Sequence, residues 1–184
     1  MFAVLLLVQW LSVPSVRRIA RRGQCGDVRE GTWEVRHRGP FCAHPRFATR
    51  RFDRTSDGGR LHLASAAGLL HADFRVPGDE YETLFRLCDA LTRNHAEKVE
   101  LFRRVCLNVR LHNRDDHLKN FAFLMDAAGT WRLAPFYDFT RSEGPNGWQT
   151  LSVAGEGRNP TDDDLRRLAE HVGLDASLVS QPRR

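Results

Sequence analysis

Residues 111–140 read LHNRDDHLKNFAFLMDAAGTWRLAPFYDFT, and the reading of this stretch decides the fold. Phe121–Met125 is an apolar run, Asp126-Ala127-Ala128-Gly129 has turn chemistry, and Trp131–Ala134 is a second apolar run. Two short apolar runs joined by a glycine-bearing turn predict a β-hairpin. A hairpin returns the chain past its own entry point. Asp138, beyond the second arm, is therefore expected beside Asn120, at the head of the first.

Asp115 and Asn120 stand five positions apart, the D-x-x-x-x-N spacing of a phosphotransfer loop. Asp138 is followed by Phe139, as in a kinase magnesium motif, with Thr140 where that motif has glycine. Phosphoryl transfer needs a carboxylate to accept the hydroxyl proton and hard oxygen ligands for Mg2+ between the phosphates. Asp115 suits the first task; the Asn120 amide oxygen and Asp138 suit the second. Taken singly, Asp and Asn are common turn residues whose side chains bond the local backbone. The three in this order, with a hairpin between, weigh toward chemistry.

DDHLKNFAFL, WRLAPFYDFT and LSVAGEGRNPT (residues 151–161) together resemble the C-terminal half of HipA-type serine/threonine kinase toxins. The resemblance extends back through RRFDR (residues 50–54) and RLHLASAAGLL (residues 60–70). It implies an α+β, mostly helical, protein kinase-like C-lobe with a short β-hairpin carrying the magnesium-binding Asp, and a reaction using ATP and Mg2+. It makes Asp115 the general base and Asn120 and Asp138 the metal ligands, and it puts Phe52 and Asp53 on the hinge beside the nucleotide. His117 and Lys119 are expected to help hold phosphate. The expected partners are a protein substrate such as an aminoacyl-tRNA synthetase and a HipB-like DNA-binding antitoxin, in the cytoplasm. One departure is local: Asp116 stands where the family often has glycine. An extra carboxylate there is expected either to raise the pKa of Asp115 by like-charge repulsion or to face water.

Around this stretch the periodicity predicts helices. Arg60–Leu70 places Leu63, Ala66, Ala67 and Leu70 on one face, and Glu80–Arg93 places Leu84, Leu87, Cys88 and Leu91 inward. Ala96–Leu111 is more apolar still, with Val99, Phe102, Cys106 and Val109 in one stripe, and it leads straight into Asp115. A rigid buried helix is a suitable mount for an acid–base residue. Ser142–Gln149 reads as a flexible loop in the position of a substrate-facing segment. Ala154–Pro160 is Gly-rich, but as a C-lobe structural segment rather than a phosphate cradle. Thr161 caps a final helix whose first turn holds Asp162, Asp163 and Asp164, with Leu165, Leu168, Ala169 and Val172 inward.

The 184 residues carry a net charge of +5, unevenly spread. Residues 1–54 hold eleven Arg against four acids, and residues 55–184 hold 17 basic residues against 19 acids. Residues 1–47 show no clear period and are expected to be an Arg-rich segment, disordered or out of frame, ahead of a HipA-like lobe at 48–184. The apolar start, MFAVLLLVQWLSVPSV, lacks a basic n-region and is too short to span a bilayer, so neither export nor a membrane partner is expected. The basic run RRIARR reads as solvated charge, and no direct nucleic-acid binding is expected. Cys25, Cys42, Cys88 and Cys106 have no metal-ligand or disulfide spacing. The two lysines are Lys98 and Lys119, so no lysine precedes residue 98 to hold nucleotide phosphates. This points to a truncated lobe, with a catalytically inactive remnant or antitoxin-binding module as the alternative. A further alternative is a metal-dependent phosphohydrolase built on His112, Asp115, Asp116 and His117.

Overall fold

The expected hairpin is present in the computed structural model, which describes residues 51–73 and 80–180. Strand β2 (Ala122–Met125) pairs antiparallel with β3 (Trp131–Leu133), with Phe123 opposite Leu133. The turn is built by Asp126, whose side chain accepts the amides of Ala128 and Thr130, both at 2.9 Å. Gly129 completes it at φ +81°, a left-handed conformation that costs a side-chain-bearing residue about 1 kcal/mol. The readings of residues 1–47, including the apolar start and the arginine run, lie outside the described residues.

Chain contacts divide after Phe52, and Asp53–Pro182 forms one compact unit. Its sheet has a third strand that the helical spacing of residues 60–70 conceals. β1 (His62–Ser65) pairs antiparallel with β2, Leu63 opposite Leu124, and only then does the short helix α1 (Ala66–Leu70) begin. The expected helix over Arg60–Leu70 is thus half strand. Leu63, Ala66, Ala67 and Leu70 fit a helical stripe, but pairing with β2 satisfies the backbone of 62–65. Ser65 then caps α1 by accepting the Gly68 amide at 3.2 Å.

The other helices form much as their periodicity predicts. α2 (Tyr81–Thr92) buries Tyr81, Leu84, Phe85 and Cys88, and α3 (His95–Arg110) buries Leu101, Phe102, Val105, Cys106 and Val109. Asn94 caps α3 by accepting the Ala96 amide at 2.9 Å. Between α2 and α3 the rings of Phe85 and Phe102 meet at 6.3 Å, and the Tyr81 and Phe121 rings join α2 to the hairpin edge-on at 6.0 Å. Each such side chain contributes about 1.5–3 kcal/mol by leaving water. The last helix, α4 (Asp162–His171), packs Leu165, Leu168 and Ala169 into the same core. The result is a mixed α/β unit with a small three-stranded antiparallel sheet in the order β1-β2-β3. Among the described residues no helix is long and apolar enough to cross a membrane.

Candidate active site

α3 ends at Arg110, and a turn through His112 (φ 52°) delivers the chain into a loop, residues 113–117, in which Asn113 bridges to Ser142. The two adjacent aspartates of this loop have opposite environments. Asp115 faces out, its side chain 56% exposed, while Asp116 is fully buried. The expectation that Asp116 faces water does not hold in this geometry. It turns inward.

Four donors meet the Asp116 carboxylate. Oδ1 accepts the backbone amides of Thr150 at 3.0 Å and Leu151 at 3.4 Å. Oδ2 accepts the Gln149 side-chain amide at 2.9 Å and the Tyr81 hydroxyl. The network continues inward, with Asn108 Nδ2 donating to Tyr81 at 3.1 Å and Asn113 Nδ2 donating to Asn108 at 2.9 Å. Burial pushes the Asp116 pKa up to about 6, outweighing the bonds from Tyr81, Leu151 and Thr150 that pull it down. The Tyr81 hydroxyl is raised by burial first and by the Asp116 charge second. This network was not foreseen from sequence. Its signal was there in Asn108 and Tyr81, polar atoms on the inward faces of two apolar helices, which need buried partners.

Beyond Asp115, His117 Nε2 lies 3.6 Å from the Asp115 carboxylate. A 3-10 turn, Leu118–Asn120, then closes the loop, and the Asn120 Nδ2 donates to the Asp115 backbone carbonyl at 2.8 Å. With its nitrogen engaged by the loop, Asn120 offers its amide oxygen as the end suited to a hard cation.

The returning arm of the hairpin is gripped from α3. Glu97 Oε2 accepts the Leu133 amide at 3.1 Å, and the buried Arg104 donates to the Ala134 carbonyl at 2.7 Å while lying 5.5 Å over the Phe136 ring. Glu100 partners the same guanidinium at 3.2 Å. Tyr137 then donates its hydroxyl to the Lys119 carbonyl at 2.5 Å. This bond ties the residue before Asp138 to the residue before Asn120. Burial, then the adjacent Asp138 charge, pushes the Tyr137 pKa up to about 12. Asp138 itself is exposed and left-handed, φ 53°, an uncommon conformation for a residue with a side chain. Asp115, Asn120, Lys119 and Tyr137 are thus linked through the backbone.

Asp53 is buried and ion-paired with Arg54 at 2.6 Å, while its carbonyl accepts the Leu61 amide at 3.0 Å. Phe52 precedes the compact unit. Lys98 pairs with Asp89 at 2.6 Å between α3 and α2. The hydrolase alternative loses a ligand, because both Asp116 oxygens already accept bonds from within the protein.

Residues 28–182 match the model of the HipA-like C-terminal domain. The chain belongs to this family. Among individual relatives, a Haemophilus influenzae protein named "Putative kinase" is 32% identical over 163 residues, covering 73% of this chain and 48% of the relative. Among solved structures, a chain of the Shewanella oneidensis MR-1 complex of HipA, HipB and operator DNA superposes with a TM-score of 0.69. That match is 19% identical and covers 97% of this chain and 43% of the other, so it speaks for the fold. The chain spans about half the length of the curated relative it matches. The HipA-like chain therefore shares its fold with a toxin–antitoxin protein, and its family match reaches back to residue 28.

Proposed function

We propose that this HipA-like chain carries the phosphotransfer loop of an ATP- and Mg2+-dependent protein serine/threonine kinase of a toxin–antitoxin system. In this reading Asp115 accepts the proton of the substrate Ser or Thr hydroxyl as that oxygen attacks the γ-phosphate. Asn120 and Asp138 hold Mg2+, which when bound neutralises charge on the phosphates. His117 steadies Asp115 or a phosphate, and Lys119 offsets phosphate charge. Phe52 and Asp53 sit at the hinge beside the nucleotide.

The observation that carries the reading is the split treatment of three polar side chains. Asp115 and Asp138 are left exposed, while Asn120 is held by its nitrogen. Asn120 and Asp138 offer hard oxygens, the kind that suits Mg2+, and Asp115 keeps an exposed carboxylate to take a proton. Glu97 and Arg104 hold the hairpin's return arm from a buried helix, so the mount is rigid where transfer chemistry needs it. By family, the protein substrate is a cytoplasmic protein such as an aminoacyl-tRNA synthetase, and the partner is a HipB-like DNA-binding antitoxin.

The test is thermal unfolding of the chain with and without millimolar ATP and Mg2+. Binding to the folded state alone raises the midpoint. The expected result is a rise that needs both components and shrinks in Asp138→Ala, with ATP–Mg2+ affinity lowered about tenfold. No rise at any nucleotide concentration would overturn the kinase reading and leave an antitoxin-binding role.

A further inference from the structure

Asp115 has neighbours on both sides that grip the same distant segment. Arg114 precedes it: its carbonyl accepts the Thr150 amide at 3.2 Å and the Thr150 hydroxyl at 3.0 Å. The Arg114 guanidinium donates to the carbonyls of Gly147 at 2.7 Å and Arg158 at 3.3 Å. Asp116 follows it and collects Gln149, Thr150 and Leu151. A third tie joins the Ser142 amide to the His112 carbonyl at 2.9 Å. Packing is close enough at Gly144 that a Cβ there would lie 2.7 Å from the Arg114 Cβ and 2.2 Å from the Trp148 carbonyl oxygen. The segment expected to be a flexible loop is therefore fastened to the Asp115 loop at several points.

We infer that Asp116 is the positioning residue of this site. Its two oxygens clamp Gln149–Leu151, and with them the end of the 142–149 segment, to the loop bearing Asp115, so that the proton acceptor and that segment move as one body. The role given to Asp115 rests on the kinase reading; the mechanical coupling does not. A carboxylate suits the place for a chemical reason: it is acceptor-only, and four donors converge on it. An amide of the same shape would turn two hydrogens toward groups that are themselves donating. Its charge-assisted bonds are also about twice as strong as neutral ones. Asp116 also reaches into the core, because Tyr81 and Asn108 link the clamp to α2 and α3. Substrate contact is not required of it; it acts through Asp115.

Hydrogen exchange on the full chain tests the clamp. In Asp116→Asn, amides of residues 149–151 and of residues 112–120 are expected to exchange at least about tenfold faster over and above any rise in α4, which reports the shared loss of global stability. Faster exchange confined to 149–151 would overturn the coupling. A uniform rise across all helices would overturn it as well, by making Asp116 only a contributor to global stability. Should Asp116→Asn fail to fold, Tyr81→Phe keeps the ring packing, removes one donor, and is judged by the same pattern at a few-fold size. Phosphorylation assays supply the second readout. The expected split is kcat down about tenfold or more with the ATP Kd within about twofold. An unchanged kcat with a weakened Kd would overturn the positioning role. A wild-type chain that transfers no phosphate would overturn the kinase reading, while the exchange pattern still decides the clamp.

Discussion

Two acidic runs in this chain, Asp115-Asp116 and Asp162-Asp163-Asp164, have similar composition but draw on different partners. In the second, Thr161 and Asp164 satisfy each other across three residues as a capping box, Asp164 accepting the Thr161 amide at 2.7 Å. Arg166 and Arg167 answer Asp163 and Asp164 from the next turn. Burial is the largest single influence on Asp164 and raises its pKa, but the Thr161 bonds and the Arg167 charge together outweigh it, and the net shift is downward. In the first run, the partners of Asp116 lie 33 to 35 residues away in sequence, and burial dominates. A locally satisfied acid stabilises one helix end. A remotely satisfied acid fastens separate segments together and places its neighbour.

The sharpest way to break this contrast is Asp115→Ala. Transfer should fall by about 10²–10⁴-fold, the usual contribution of a positioned proton acceptor, with the unfolding midpoint nearly unchanged because the side chain is exposed. Retained phosphorylation by that variant would remove Asp115 from the chemistry. Asp116→Ala should do the reverse to the fold, costing about 3 kcal/mol in urea titration by stranding several buried donors. A loss as small as that of a surface substitution would place Asp116 with the local acids.

The pH dependence separates Asp116 from Asp164 by sign. The folded Asp116 pKa of about 6 lies above its ordinary 3.8, so the folded state holds the proton longer than the unfolded chain. Its contribution is therefore fully present at low pH and is lost as pH rises through that window, by roughly 3 kcal/mol at most. Wild-type stability should fall relative to that of Asp116→Asn from about pH 4 to about pH 7, read from urea midpoints. Asp164 has a lowered pKa, so its contribution is present above the ordinary carboxylate range and lost as pH falls. Smallest of all, Thr161→Ala should cost about 1 kcal/mol through loss of the cap, visible as a modest drop in Tm with no change in transfer.

Several elements were legible in the sequence because their determinants are local. The turn at Asp126–Gly129, the cap at Thr161 and the inward faces of α2 and α3 each follow from residues within one or two turns of one another. The strand His62–Ser65 was not legible. Its four residues fit a helical stripe as well as an alternating one, and pairing with β2 made the choice. Asp115, Asn120 and Asp138 could be picked out by spacing. Their mounting by Glu97, Arg104 and Tyr137 could not, since those bonds cross 36, 30 and 18 positions.

By itself the sequence determined the family, the hairpin, the helices that bury its apolar faces, and the order of the residues suited to phosphoryl transfer. Only the tertiary structure decided which of two adjacent aspartates faces water and which turns in to hold Gln149–Leu151. The physical reason is range. Helix caps and turns are satisfied by neighbours along the chain, whereas a buried carboxylate is satisfied by whichever donors the completed packing brings to it.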